Sequence, residues 1–361
     1  MKKTLISASV ASVMALASFG ALAEGPQFYG RLDLSVTNTD VGTTVQSGTK
    51  GINTNDFANE NNSGTYIENN FSWLGVKGTE NISSGIDIVY QMEFQVENTS
   101  GSGDTFKPRN TYLGIKTSAG TVLVGRNDTV FKQSEGGVDL FGNTNADIDR
   151  LVAAQTRSAD GIWYYSPVIA DLVTLNATYL MEDNNGSDDA QYALSVTVGD
   201  KGLKKHNFYL AGAYNKGISN VDAYRAVAQV KLGDFKVGGL FQNTEKVDSG
   251  NDNNTYFVNV AYNLNGVNLK AEYGYDESGM GKYYGNVVKY TEVVDGKVVN
   301  KTLSGSDIEV TNITLGADYR AAKSTLLFAH YAMYEGSHVT AGQRVDLQDD
   351  NVFTVGVRYD F

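Results

Sequence analysis

Polar and apolar side chains alternate one for one along almost the whole of this chain, and a two-residue period restricts it to β-strands. Phe28, Gly30, Leu32, Leu34 and Val36 interleave with Tyr29, Arg31, Asp33 and Ser35. Ile86, Ile88, Tyr90, Met92, Phe94 and Val96 do the same with Asp87, Gln91, Glu93 and Gln95, and Val267, Leu269, Ala271 and Tyr273 with Asn268, Lys270 and Glu272. At the end, Phe353, Val355, Val357, Tyr359 and Phe361 share one face, and Thr354, Gly356, Arg358 and Asp360 the other. Sixteen segments read this way, at about 26–37, 64–79, 82–98, 107–117, 120–126, 160–166, 171–182, 189–200, 204–216, 220–233, 234–246, 253–264, 266–277, 306–321, 323–335 and 349–361.

Alternation suits a soluble sandwich as well as a barrel in lipid, so other features must choose the solvent. Very short turns at Asn81, Ser118 to Gly120, Gly233-Asp234, Asn265-Gly266 and Ala321 to Lys323 face long polar loops at the opposite strand ends. That asymmetry belongs to transmembrane barrels. Aromatic residues gather at segment ends, as at Phe28-Tyr29, Tyr164-Tyr165, Tyr179, Tyr262, Tyr273, Tyr319 and Tyr359 to Phe361, where rings sit between hydrocarbon and water. Hydrocarbon offers no partner to a free backbone N–H, so the strands must close on themselves. An even count of sixteen leaves a lumen wide enough for water. The expected fold is therefore all-β, a 16-stranded antiparallel transmembrane β-barrel.

The first residues and the composition agree with this. Lys2 and Lys3 precede an apolar run from Leu5 to Phe19, which ends at Ala21-Leu22-Ala23. This is the pattern of a secretory signal, which predicts a signal peptide over 1–23 and a mature barrel domain over 24–361. The apolar run is too short to be read as a spanning helix, and no longer one follows. Only 3 prolines occur in 361 residues, as a chain of paired strands requires. The net charge of −12 becomes −14 without the signal, with 27 basic residues against 41 acidic, which argues against nucleic acid as a partner. With no cysteine, thiolate chemistry and disulfides are excluded.

One connection breaks the pattern of short turns and merely polar loops. About 30 residues, Asn127 to Ser158, carry Val130, Phe131, Val138, Leu140, Phe141, Ile148, Leu151 and Val152. Length without strands points to function, and apolar content argues for packing. The segment is expected to fold into the barrel, lay these side chains on the inner wall and narrow the pore.

Thr111-Tyr112-Leu113-Gly114-Ile115-Lys116, Gly120, Val124-Gly125-Arg126-Asn127 and Tyr165-Ser166-Pro167 around that segment resemble the general porins of Gram-negative outer membranes. Phe28 to Arg31, Leu74 to Gly78 and the terminal Phe361 fit the same pattern, so the resemblance spans the mature chain. It implies an outer-membrane pore for passive diffusion of small hydrophilic solutes and ions, without enzymatic activity or cofactor. It further implies a homotrimer whose third loop carries acids facing a basic wall. Transferred residue by residue, Arg31, Arg109 and Arg150 match basic wall positions, with Arg126 and Arg157 beside them. By parity Arg31 faces the lumen with Asp33 and Ser35, whereas Arg109 shares parity with Leu113 and Ile115, so a bulge must intervene. Trp73 stands where the family often has arginine and is a candidate solute contact. Glu135 and Asp139, then Asp147 and Asp149, are the candidate acids of the loop. Opposed charges across a narrow throat would orient polar solutes and disfavour apolar ones.

Other chemistry finds less support. Asp183 to Asp189 loosely resembles a calcium loop but lacks the closing Glu. His206, His330 and His338 are scattered, with no metal-binding spacing and no nucleophile elbow. A membrane hydrolase using His338, or a sugar-selective channel stacking solutes on Trp73 and Trp163, are the competing readings. Acidic outer loops would meet lipopolysaccharide through bridging divalent ions.

Overall fold

The computed structural model describes residues 24–40, 63–97, 99, 104–182, 189–250, 252–287, 289–294, 297–302 and 305–361. The expected signal at 1–23 and most of the calcium-like 183–189 stretch lie outside the described residues. The strands are β1 (Glu24–Thr39), β2 (Gly64–Asn69), β3 (Trp73–Ser83), β4 (Ile86–Val96), β5 (Phe106–Thr117), β6 (Gly120–Asp128) and β7 (Arg157–Tyr165). They continue as β8 (Val173–Leu180), β9 (Gln191–Gly199), β10 (Phe208–Lys216), β11 (Val221–Leu232), β12 (Phe235–Lys246), β13 (Asp252–Leu264) and β14 (Val267–Asp276). The last are β15 (Lys289–Val294), β16 (Lys297–Thr302), β17 (Ser306–Ala322), β18 (Thr325–Thr340), β19 (Gln343–Asp346) and β20 (Asp350–Asp360).

Each wall strand pairs antiparallel with its sequence neighbour, and β1 returns to β20 from Arg31↔Asp360 to Thr39↔Val352. Eighteen strands join this sheet. Because β2 and β3 form one interrupted strand against β1, and β19 only prolongs the hairpin with β18, the closed wall has sixteen. Strands β15 and β16 pair separately in an outer connection.

Burial is inverted relative to a soluble protein. Leu32, Val36, Leu113, Ile115, Val124, Leu194, Val258, Leu315, Phe353 and Val355 stand exposed on the outside, while Asp33, Ser35, Thr37, Glu93, Gln95, Glu272 and Thr354 are enclosed. A continuous exposed apolar surface of this kind needs lipid around it. Tyr164, Tyr179, Tyr273, Tyr319, Tyr359 and Phe361 stand among the exposed large side chains, as expected of interface girdles.

Local departures from the expected strands have local causes. The segment expected as one strand over 64–79 breaks at Phe71, whose φ is 55°. Exposed Ile67 and Leu74 have opposite parity, so an irregular stretch is needed to put both outside. At the break Ser72 Oγ accepts from Asp33 N–H (2.9 Å) in place of a ladder carbonyl, and Asn70 Nδ2 donates to Asp33 Oδ1 (3.0 Å). The turn expected at Asn81 forms instead at Ser84-Gly85, where Gly85 takes φ 76°. Strand β10 starts at Phe208 rather than at 204, because the Asp200 carboxylate accepts from the N–H groups of Gly202, Lys204 and Lys205 and holds the chain in a turn.

Candidate functional site: the lumen and the segment between β6 and β7

Residues between Asp128 and Arg157 form two short helical pieces. Thr129 Oγ1 caps the first, Val130–Gln133, by accepting from Lys132 N–H (3.2 Å). Asp147 caps the second, Ile148–Arg150, through Asp149 N–H (2.9 Å). Val130, Phe131 and Ala154 pack on the inward-facing Leu123, Trp163, Leu180, Ala193 and Ala223. Val138, Phe141, Ile148, Leu151 and Val152 form a second cluster with Leu203, Tyr209, Val227, Leu240 and Phe257. Each such buried side chain contributes about 1.5–3 kcal/mol of transfer free energy, which explains why part of an otherwise wet inner face is apolar.

Backbone carbonyls of the segment are held by lumenal side chains. Tyr209 Oη donates to Ser134 O (3.1 Å), Arg225 Nη1 to Phe131 O (3.0 Å), Lys270 Nζ to Leu140 O (2.7 Å) and Tyr334 Oη to Asn145 O (2.8 Å). Gln229 and Asn259 grip the carbonyls of Gly137 and Val138, and Asn145 donates to Glu68 on β2. The segment thus packs on β6 to β14 and β18, touches β1 and β2 through Asn145, and has its hydrogen-bond anchors concentrated on β7 to β14 and β18.

The four candidate acids all lie on this segment, in different settings. Glu135 accepts from Gln155 Nε2, and burial raises its carboxyl against the pull of Lys132 and Arg225. Asp139 accepts from Phe141 N–H (3.2 Å), and burial followed by repulsion from Asp147 and Glu135 raises it well above the usual carboxylate range. Burial and neighbouring Asp149 push Asp147 up to about 7, although the N–H groups of Asp149 and Asn143 oppose the shift. Asp149 is ion-paired with Lys282 of the outer connection after β14.

Three of the five candidate arginines lie on the inner wall, on β1, β5 and β7. Arg31 pairs with Asp360 (2.6 Å) and Arg109 with Glu93 (2.5 Å). The bulge required for Arg109 is present: register slips between Met92 and Phe94, so that Arg109 and Asn110 both oppose Glu93. Arg157 pairs with Asp128 (3.2 Å). Trp73 lies between β1 and β5 partners, with the Arg31 guanidinium 4.2 Å and the Arg109 guanidinium 4.7 Å from its ring centre. A solute stacking there would have to displace an arginine.

Two placements differ from expectation. Arg126 shares parity with the exposed Val122 and Val124 and lines an outer-surface groove with Met92, Phe94, Pro108 and Ile162, so it points away from the lumen. Arg150 sits on the folded-in segment rather than the wall, and its buried guanidinium lies against the rings of Tyr283 (5.0 Å) and Tyr334 (4.5 Å).

Several participants escaped the sequence reading. Arg358 pairs with the fully enclosed Asp33 (2.6 Å), and its inward parity with Thr354 and Gly356 was the available signal. Arg225 joins both halves of the segment, since its Nε donates to Gln242 Oε1 (2.9 Å) and Gln242 Nε2 donates to Ala153 O (3.2 Å). Its lumenal companions on β11 are Val221, Ala223 and Val227, which hid its orientation. Of the histidines, His338 is hydrogen-bonded through Nδ1 to Tyr284 Oη (2.8 Å), and His330 packs against Phe141.

A sequence profile of the Gram-negative porin family matches residues 8–339. The chain belongs to the Gram-negative porin family. It is 23% identical over 382 residues to the major outer membrane protein P.IB of Neisseria sicca, with 100% of each chain covered. Its fold is similar to an anion-selective porin from Comamonas acidovorans, with a TM-score of 0.64 and 18% identity over 93% of this chain and 99% of that one. It is also similar to the trimer form of OmpT, an outer membrane protein of Vibrio cholerae, with a TM-score of 0.61 and 18% identity over 93% and 99%. This porin is an outer-membrane protein, and its closed barrel is a pore for the passive diffusion of small hydrophilic solutes.

Proposed function

We propose that the mature chain, residues 24–361 after removal of a signal at 1–23, assembles as a homotrimer of pores, each narrowed by the segment between β6 and β7. Glu135, Asp139 and Asp147 form one side of the throat, with Asp149 behind them, and Arg31, Arg109, Arg157 and Arg358 form the other. The observation carrying this reading is the anchoring of the segment, concentrated on β7 to β14 and β18, whereas Arg31, Arg109 and Arg358 stand on β1, β5 and β20. A trimeric neighbour of similar fold supports the assembly.

On the wall each arginine is matched by an acid: Arg31 by Asp360, Arg109 by Glu93, Arg157 by Asp128 and Arg358 by Asp33. Lys282 offsets Asp149, so the surplus charge is that of Glu135, Asp139 and Asp147 in their ionised forms, and the throat then favours cations mildly. Outer-membrane lipid, including lipopolysaccharide, surrounds the trimer. The chain acts as a channel and not as an enzyme, a reading supported by its family and relatives. Single-channel conductance and reversal potential in planar bilayers test it. At alkaline pH, where these raised carboxyls ionise, Glu135→Gln and Asp139→Asn should lower the cation preference and alter conductance; unchanged values for both would remove these residues from the throat. Ester hydrolysis by reconstituted vesicles above the empty-vesicle level would defeat the purely passive reading.

A further inference from the structure

The outer connection after β14 does more than cap the barrel. At its start Gly281 lies so close to the folded-in segment that a Cβ there would collide with the backbone of Arg150 and Leu151. The short helix Lys282–Val287 follows, and its first two side chains reach into the segment. Lys282 pairs with Asp149. Tyr283 is fully buried and stacks on Tyr334 of β18, with ring centres 4.6 Å apart and planes 17° from parallel. The Arg150 guanidinium lies over both rings. The stack is fixed at both ends, by Tyr283 Oη donating to Gln348 O (3.2 Å) and Tyr334 Oη to Asn145 O (2.8 Å). Tyr284 bonds to His338 on β18 and anchors the same piece to the wall.

We infer that Lys282 and Tyr283 are positioning residues that hold the throat-forming segment from the extracellular side, so that an outer loop sets the steadiness and ion preference of the pore. The inference rests on the reading that the β6–β7 segment forms the throat. Physically, a cation held over two stacked rings is attracted to both and has little freedom to slide, because each ring is itself pinned by a hydrogen bond. Arg150 adjoins Asp147 and Asp149, so fixing Arg150 fixes the acids beside it. Lys282 also neutralises Asp149, removing one negative charge from the throat. A force applied to the outer loop would accordingly be felt at the constriction.

Planar-bilayer recordings of the full-length barrel test this with paired variants. Tyr283→Ala should give a several-fold rise in open-channel current noise with substate transitions, whereas Tyr283→Phe, which keeps the stack, should stay as quiet as wild type. Lys282→Gln should shift the reversal potential toward cations, and Lys282→Arg should restore it. For a probe that leaves the core intact, Gly285→Cys can be labelled with a bulky maleimide, because open space surrounds its Cβ position and the chain has no other cysteine. The label should alter conductance, while the same label on Asp189→Cys, on a different outer loop, should not. If Tyr283→Ala, Lys282→Gln and labelled Gly285→Cys all match a conducting wild type, the positioning role is overturned. If wild type itself carries no current, the pore reading fails instead.

Discussion

Asp147 ionises near physiological pH. Its carboxyl, ordinarily at 3.8, is pushed to about 7 by burial and by Asp149, so it is largely charged at pH 8 and largely neutral at pH 6. The cation preference of the pore should therefore fall between pH 8 and 6, and Asp147→Asn should remove that step in reversal-potential measurements. The linked effect on stability has a definite sign. Because the folded value is the higher one, this group's contribution is fully present below 3.8 and is lost as pH rises through about 7. Trp163, fully enclosed beneath Phe131, makes a different point. Trp163→Ala should cost about 3–5 kcal/mol, read as a lower midpoint of barrel unfolding by gel mobility. At this scale the sequence was a good guide where parity was clean, as for Arg31, and a poor one where identity was transferred from family resemblance. The resemblance puts Arg126 on the wall, whereas its parity with Val122 and Val124 points it outward.

Among elements, the strands were legible and their interruptions less so. Alternation reveals which residues share a face but says nothing of an inserted residue, so the bulge at Arg109 emerged only from its conflict with Leu113 and Ile115. A similar conflict between Ile67 and Leu74 marks the break between β2 and β3. The segment between β6 and β7 could be picked out by its hydrophobes, yet its anchoring could not, because the groups that hold it are scattered along the chain from Thr37 on β1 to Tyr334 on β18. Arg225 bridges its two halves through Phe131 O and, with Gln242, Ala153 O. Arg225→Ala would remove both bridging bonds and take from the buried Gln242 Oε1 the donors it has in Arg225, at about 1–3 kcal/mol for that buried group. The variant should show noisier open-channel current together with a lower urea midpoint for unfolding. A quiet channel with an unchanged midpoint would show that the segment is held elsewhere.

For the molecule as a whole, the decisive property is which way the oily faces point, and that was readable from the chain because lipid and water select opposite side chains at every second residue. Closure was readable too, by elimination of free edges, but the bonds of the seam were not. There Gly30 and Phe361 exchange two backbone hydrogen bonds (2.9 and 3.1 Å), and the Phe361 ring occupies the space a side chain at position 30 would need. Gly30→Val should displace that ring and reduce the yield of heat-resistant barrel on refolding into detergent, while Gly30→Ala should be the milder of the two. Along the rest of the seam, Arg31 to Thr39 meets Val352 to Asp360 in an ordinary antiparallel ladder without a register shift, the same kind of joint as β10 makes with β11 or β12 with β13. A ring made of equivalent joints has no privileged starting point. Linking the two ends and cutting the chain at a tight turn such as Gly233-Asp234 should give a circular permutant that rebuilds the same cylinder, which would make the order of synthesis a matter of export and not of architecture.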